Sequence, residues 1–459
     1  MATTHEVKVI FETKEVGKED KFDNITAREK DIAGKMAGIC YMPDDYTSKG
    51  MQDSVEAAKR ANNCAKNGHY STFEHGHLTF LINTSKMCAM TLNSLRCYNT
   101  SEKSARYTKM KATTDMENNK YEKWIVTFEK LIRAYYGGDF KADQIKKLAM
   151  ENARYMLSVF TPTTMAYTVS YARAVLTIEW LKSLSVDMSI YCDDILARPL
   201  EEGDNKDKNS KNLHYVYYSR LAEELKDLAY AIQEAMGITH PIINDHKGMG
   251  IRFYNDIRKH IFNKQHPSYN NKQIIKAFIL NRNRINSTLG NVYSVDYEAS
   301  FAALAQLQRH RTLNYTFESD ADLYIDDMDE SNFYIPDIIK NSPLKNDWIA
   351  DLKELVSLNI IPQGIIVSVS ESGMIEDFVS KAKERLCSRA QLETCNITKK
   401  VAKEISRFRC NDSYENSILL NLKDEEDGTI LPRCMFTGYT CKEPCKFGMK
   451  KDTLYTRKV

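Results

Sequence analysis

The sequence predicts an α+β chain made of two tandem domains, and three observations lead there. At 459 residues it is longer than one hydrophobic core ordinarily serves. Strand-like and helix-like stretches recur in the same order in its two halves. One unusual frame also occurs twice. Asn93-Ser94-Leu95-Arg96 is followed by seven residues and Ser104, and Gln308-Arg309-His310-Arg311 by seven residues and Ser319. Each copy is broken where the other is intact. Ser104-Ala105-Arg106-Tyr107 keeps an arginine that Ser319-Asp320-Ala321-Asp322 lacks, and Arg309-His310 keeps what Ser94-Leu95 has lost. The divisions this predicts are 1–237, 238–431 and a cysteine-containing tail, 432–459.

Residues 7–15 alternate apolar and polar side chains and read as a strand. Residues 49–66 read as a helix with Val55, Ala58 and Ala61 inward, closing near Gly68. HLTFLINTS at 77–85 has strand composition, and a helix over 86–95 delivers the first copy of the frame. Helices follow over 118–136 and 142–160, separated by Gly137-Gly138. A strand over 165–172 leads to a helix over 173–184. Residues 201–212 are almost wholly polar and read as an exposed insertion. A helix over 215–236 ends the first half, its tyrosines 215, 217 and 218 at core spacing. In the second half, 271–280 reads as a helix, 291–299 as a strand, and 300–308 as the helix that carries the second copy. Helices over 345–358, 371–387 and 390–408 follow, with a strand at 365–370.

Composition narrows the function. Apolar residues make up 42%, and no run approaches the roughly 18 residues of a membrane span. The first residues lack a charged-then-apolar pattern, so the expected place is the cytoplasm, where the Asn-x-Ser/Thr triplets carry no meaning. Eleven cysteines, an odd number without regular pairing, read as reduced thiols. A net charge of +2 lacks the clustered base of a nucleic-acid surface. Cys434, Cys441 and Cys445, with Cys410 upstream, do not match a common zinc spacing, so free thiols and no metal are expected.

With so little net charge, an anion must be met by a few placed arginines. Arginines, a serine and a glutamate near one loop suit a phosphate, because guanidinium forks grip it through paired charge-assisted bonds. His310, between two arginines, is expected to stay neutral.

These residues resemble the flavin-dependent thymidylate synthases. Arg309-His310-Arg311 with Ser319, and Glu102-x-Ser104-x-Arg106-Tyr107, match that family's signature in parts. His69-Tyr70-Ser71-Thr72-Phe73-Glu74-His75 is similar to its flavin-contacting segment, and Arg385-x-x-Ser388-x-Ala390-Gln391-x-Glu393 to a late segment. The resemblance implies mostly antiparallel sheets with helices. It also implies FAD, reductive methylation of dUMP to dTMP, and methylene-tetrahydrofolate and NADPH as co-substrates. Glu102, Ser104 and Arg106 would hold dUMP, with Arg106 on its phosphate. Gln306, Arg154 and Arg385 would reach the same nucleotide, and catalysis would fall to Arg385, Glu102 and Ser104. His69, Ser71, Glu74, Arg309, His310, Arg311 and Arg96 would line the flavin site. A hydroxymethylase of the same fold, or an inactive nucleotide-binding homologue, are the alternatives.

The family pattern is incomplete in each half. Ser94-Leu95 stand for Arg-His, Thr91 for glutamine, and Lys182 for the late arginine; Phe317, Ala321 and Leu358 stand for the nucleotide glutamate and two arginines. Leu289 or Gly290 stands for the flavin glutamate. One front loop facing one rear wall restores most of the set. The expectation is therefore a homodimer acting as a pseudo-tetramer, with composite sites and about one flavin per chain. Arg154 fits this scheme poorly, since it falls with the half that lacks Arg-His.

Overall fold

Apolar–polar alternation produces two four-stranded antiparallel sheets. The structure, a computed structural model, describes residues 5–16, 22–95, 98–105, 108–238, 276–280, 292–319, 323–405, 422–424, 428–441, 445 and 454–459. The strands are β1 (Glu6–Glu12), β2 (His77–Ser85), β3 (Asn99–Glu102), β4 (Pro162–Ser170), β5 (Lys276–Leu280), β6 (Val292–Ser300), β7 (Asn314–Glu318) and β8 (Ile366–Met374). The sheet orders are β1-β2-β4-β3 and β5-β6-β8-β7. The helices are α1 (Ile25–Tyr41), α2 (Lys49–Gln52), α3 (Ser54–Lys66), α4 (Lys86–Asn93), α5 (Asp115–Tyr136), α6 (Ala142–Ala153), α7 (Tyr171–Leu196), α8 (Leu213–Ala235), α9 (Phe301–Leu307), α10 (Leu344–Ser357), α11 (Ile375–Arg385) and α12 (Leu392–Ile405). No helix among the described residues is long and apolar enough to cross a membrane.

The chain forms two compact units, one from 1–103 with 162–262 and the other from 104–161 with 263–459. In the first, Leu78, Phe80 and Ile82 of β2 and Met165, Tyr167 and Val169 of β4 turn one face inward. Helices α4, α7 and α8 join this core, and Tyr217 and Tyr218 are buried in it. Helices α1 and α3 meet at Gly34, where an added Cβ would lie 1.8 Å from the Ala57 carbonyl oxygen.

In the second unit, Tyr293, Val295 and Tyr297 of β6 and Val367 and Val369 of β8 supply the inner face. Helices α5 and α6 belong to this unit although their sequence lies between β3 and β4. Trp124 of α5 meets Trp348 of α10 edge-on at 4.7 Å between centroids. Beside this pair, Asp351 accepts from Trp124 Nε1 at 2.8 Å and from Lys120 and Lys123 at 2.6 Å each. Glu371 and Lys381, both wholly buried, pair at 2.5 Å, and Tyr293 and Tyr297 each donate to Glu371 at 2.6 Å. Every group of that cluster has a partner, which is the condition for keeping an ion pair inside a core.

Several elements differ from the sequence expectation for identifiable reasons. The helix expected over 49–66 is interrupted at Asp53, whose carboxylate accepts from Val55 N and Glu56 N and restarts the chain as α3. Val55 is consequently exposed, and Ala57, Ala61, Cys64 and Ala65 face inward. The helix expected over 142–160 stops at Ala153, because the chain then runs beside 361–363, with Gln363 N bonded to Leu157 O at 2.7 Å and Val159 N to Ile361 O at 2.8 Å. Residues 276–280, expected to be helical, form β5 and pair antiparallel with β6; 271–275 lie outside the described residues. β8 continues through Met374, so the next helix begins at Ile375 instead of 371. The last long helix is described over Leu392–Ile405, with 406–408 outside the described residues.

Candidate functional site

Strands β2, β4 and β6 each end in a serine that caps the following helix, and several of the site residues lie near these caps. In the first unit, the 3-10 turn Tyr70–Glu74 carries the flavin-like segment, with Thr72 and Phe73 buried under exposed His69 and Ser71. His69 Nδ1 lies 2.9 Å from the Tyr41 hydroxyl. Glu74 accepts from Ser170 Oγ, the cap of α7, and pairs with Arg173 Nε at 3.1 Å. Glu102, at the end of β3, has its side chain 1% exposed; it accepts from Lys86 Nζ at 2.5 Å and from Thr163 Oγ1 at 3.2 Å. A glutamate so held is an oriented acceptor at the edge of the sheet.

Ser104 starts the crossover into the second unit, where its carbonyl accepts from Thr108 N at 3.1 Å and Thr108 Oγ1 at 2.8 Å. Arg96 and Arg106 lie outside the described residues, as do Ala321, Leu289 and Gly290.

In the second unit, residues from three separate sequence segments meet in one buried polar run. Arg154 follows α6, Gln306 lies on α9, and Gln391 precedes α12. The Arg154 guanidinium donates to Gln391 Oε1 and to Ala302 O (3.1 Å). Gln306 Nε2 reaches the same Gln391 oxygen at 2.7 Å. Arg385 Nη2 donates to Gln306 O at 3.1 Å, so the run extends to the end of α11. Behind it, Glu393 accepts from Ser300 N (2.8 Å), Ser300 Oγ (2.7 Å) and Tyr155 OH (2.9 Å), and Gln391 Nε2 donates to the same tyrosine oxygen. Burial raises the Glu393 carboxyl above its ordinary range, opposed by these donors and by Arg154. Arg154 thus sits with Gln306 and Arg385, because α5 and α6 carry it into the second unit. Its place in the sequence suggested the other half.

Arg309, His310 and Arg311 follow α9 in a tight turn, in which His310 N bonds to Leu307 O and Leu313 N to His310 O, both at 3.0 Å. Arg309 is half-buried and Arg311 exposed. The His310 ring is held neutral, its pKa lowered to about 2 first by burial and then by Arg385 and Lys381. The neutral state agrees with the sequence expectation, but the cations responsible are on α11 and not the flanking arginines. His310 Nε2 is buried without a hydrogen-bond partner among the described residues. It stands 3.9 Å from Glu384, a contact that would count only for a protonated ring. An orphaned neutral imidazole nitrogen beside arginines fits a ligand that carries both acceptors and phosphate, as a flavin dinucleotide does.

Sequence reasoning quoted Gln391 and Glu393 in a motif without giving them a role. It missed Tyr155, Ser300 and the Glu371–Lys381 pair altogether. For Ser300 a signal existed, since a serine ends each of the strands β2, β4 and β6 just before a helix. Tyr155 carried none beyond its place next to Arg154.

Residues 24–181 match the family model described as thymidylate synthase complementing protein. That stretch contains His69–Glu74, Glu102, Ser104, Arg106 and Arg154 and stops short of the second sheet. No curated protein matches the chain. Among solved structures, it is similar to a UMP/dUMP methylase PolB from Streptomyces cacaoi bound with 5-Br dUMP. That match has 14% identity, covers 52% of this chain and 93% of that one, and has a TM-score of 0.30. It is also similar to the flavin-dependent thymidylate synthase ThyX from Helicobacter pylori complexed with FAD and dUMP, at 16% identity, 50% and 93% coverage and a TM-score of 0.26.

Proposed function

We propose that the chain is a flavin-dependent thymidylate synthase that methylates dUMP reductively, with FAD as cofactor and methylene-tetrahydrofolate and NADPH as co-substrates. The observation that carries this reading is the buried run Arg154–Gln391–Gln306–Arg385. It joins three segments that separate motifs had singled out, and one of them lies inside the family match. The identical strand orders of the two sheets support a tandem origin. In this reading the front half contributes Glu102, Ser104 and Arg106 and the rear half the Arg309–Arg311 turn, so composite sites need both.

The chain's own residues bind and orient. Arg385 and Arg154 bring fixed positive charge to the nucleotide, with their guanidinium planes set by Gln306 and Gln391. Glu102 and Ser104 offer an acceptor and a hydroxyl to its ring and phosphate. His310, neutral and buried, presents Nε2 to the cofactor, with Arg309 and Arg311 beside it for phosphate. His69, Ser71 and Glu74 frame the flavin from the front half. When bound, the flavin supplies the reducing equivalents.

The test is direct. Purified full-length chain should be yellow with about one FAD per chain, as composite sites between unlike halves require. With dUMP, methylene-tetrahydrofolate and NADPH it should yield dTMP. Hydroxymethyl-dUMP as the product would replace methylation by hydroxymethylation. A colourless protein indifferent to dUMP would end the proposal.

A further inference from the structure

The first unit holds a cluster of side chains that the proposed chemistry does not use. His5 immediately precedes β1, Cys88 lies in the first turn of α4, and Glu224 is in the middle of α8. They are far apart along the chain and meet because α8 packs on both β1 and α4. One ring nitrogen of His5, the Cys88 sulfur and a Glu224 carboxylate oxygen all lie within 4.8 Å of one another. Cys88 is wholly buried, Glu224 is 3% exposed and His5 is half-buried. The expectation of no metal rests on cysteine spacing in the tail, which is blind to a set gathered by folding.

We propose that His5, Cys88 and Glu224 hold one zinc ion, which ties the start of β1 to α4 and α8. Cys88 Sγ lies 3.6 Å from Glu224 Oε2. A thiolate about 2.3 Å and a carboxylate oxygen about 2.0 Å from one tetrahedral zinc stand about 3.5 Å apart, so this edge of the site already has its metal-bound length. Thiolate with imidazole favours zinc over magnesium or calcium, which take sets of oxygens.

The surrounding groups hold the three ligands in place. Arg220 Nε, one helical turn before Glu224, holds Oε1 at 3.0 Å and leaves Oε2 on the cysteine side. His5 Nδ1 lies 2.9 Å from Thr84 Oγ1, and Nε2 is buried without a hydrogen-bond partner among the described residues. A proton on Nδ1, donated to the threonine, leaves the Nε2 lone pair for an ion, the arrangement usual for a metal-ligating histidine. Ser85 Oγ accepts from Cys88 N at 3.3 Å and fixes the turn that carries the thiol. Without an ion the thiol faces the carboxylate only as a weak donor. On binding, zinc displaces the thiol proton to solvent and bonds the thiolate, the carboxylate oxygen and the neutral imidazole, so its two charges meet two anions. The fourth tetrahedral position is left to a water. Strand β1 is an edge of its sheet, and the ion would anchor its outer end to two helices.

The chain, dialysed against zinc and then desalted, should retain about one zinc per molecule by elemental analysis. H5A, C88S and E224A should each lose it, while C434S in the tail should keep it. Should the variants fold poorly, zinc-edge X-ray absorption of the wild-type protein gives a reading that needs none of them. One sulfur at about 2.3 Å, with nitrogen and oxygen ligands at about 2.0 to 2.1 Å, is expected. The proposal is overturned by wild-type protein that retains no zinc, by folded H5A and C88S that retain it in full, or by a shell of three or four sulfurs, which would place the ion among other cysteines.

Discussion

Two serine caps, one in each unit, use the same bonding for different ends. Ser170 closes β4 and caps α7, accepting from Arg173 N at 3.2 Å and donating to Glu74. Ser300 closes β6 and caps α9, accepting from Ala303 N at 3.0 Å and donating to Glu393. Glu74 keeps 37% of its side-chain surface open and has one arginine beside it. Glu393 is 6% exposed and takes donors from Ser300 and Tyr155. Both serines are buried, but the carboxylate that Ser170 holds stays open to a ligand. The carboxylate that Ser300 holds is spent on fastening α6, α9 and α12 to one another.

The sharpest way to break this comparison is to remove the two carboxylates separately. Glu393→Ala strands the Ser300 amide, the Ser300 hydroxyl and the Tyr155 hydroxyl in the core, and should cost about 3 kcal/mol. Glu74→Ala removes a partly open ion pair and should cost about 1 kcal/mol or less. Denaturant midpoints of the two variants measure this. Equal losses would mean that the buried network contributes no more than the open one. If the flavin reading holds, the ranking reverses for cofactor: Glu74→Ala should lose FAD affinity while remaining folded.

The buried side also sets a pH response. His310 has its folded pKa lowered to about 2, below the ordinary value of 6.5. Between those values the unfolded chain binds a proton that the folded one refuses. Stability from this group is therefore complete well above pH 6.5 and is lost as pH falls below it. Arg385 and Lys381 are the cations that reinforce the shift, and Glu384 at 3.9 Å is the carboxylate that opposes it. From pH 7 to pH 5 the loss should be about 2 kcal/mol at most. Glu393, raised by burial, titrates in the opposite sense, its contribution falling as pH rises above the ordinary carboxylate range. The difference between wild type and His310→Gln isolates the histidine, and identical slopes of stability against pH would refute its assignment as a buried neutral ring.

The comparison also explains what the sequence could convey. Strand 77–85 and helices 118–136 and 345–358 were legible because alternation or helical spacing is a local property, and each was found within a few residues of its observed bounds. Helix α1 gave no usable reading: Arg28, Glu29, Asp31 and Lys35 are buried on it, so its inner face is charged and the apolar stripe is weak. Strand β5 was mistaken for a helix because its pairing with β6 is set by a partner outside the window. Arg154, Gln306 and Arg385 were recognisable from motifs, but their meeting was not. It depends on α5 packing against α10 through Trp124, Trp348 and Asp351, contacts more than two hundred residues apart along the chain. The tail's link to the end of α11 was missed for the same reason: it is one backbone hydrogen bond from Arg433 N to Leu386 O.

The finest test compares Ser300 with Ser85, which caps α4 at the matching place after β2. Ser85 accepts from Cys88 N at 3.3 Å and is wholly buried, as Ser300 is. Ser85→Ala removes a cap alone and should cost about 1 kcal/mol. Ser300→Ala removes the same cap and also one donor to a buried carboxylate, so it should cost roughly 1 kcal/mol more. Adding Glu393→Gln to each should separate the two terms. The pair Ser300–Glu393 should show coupling in a double-mutant cycle and the pair Ser85–Glu393 none, since they lie in different units. Coupling that is equal in both cycles would mean that the carboxylate acts through general destabilisation and not through the Ser300 hydroxyl.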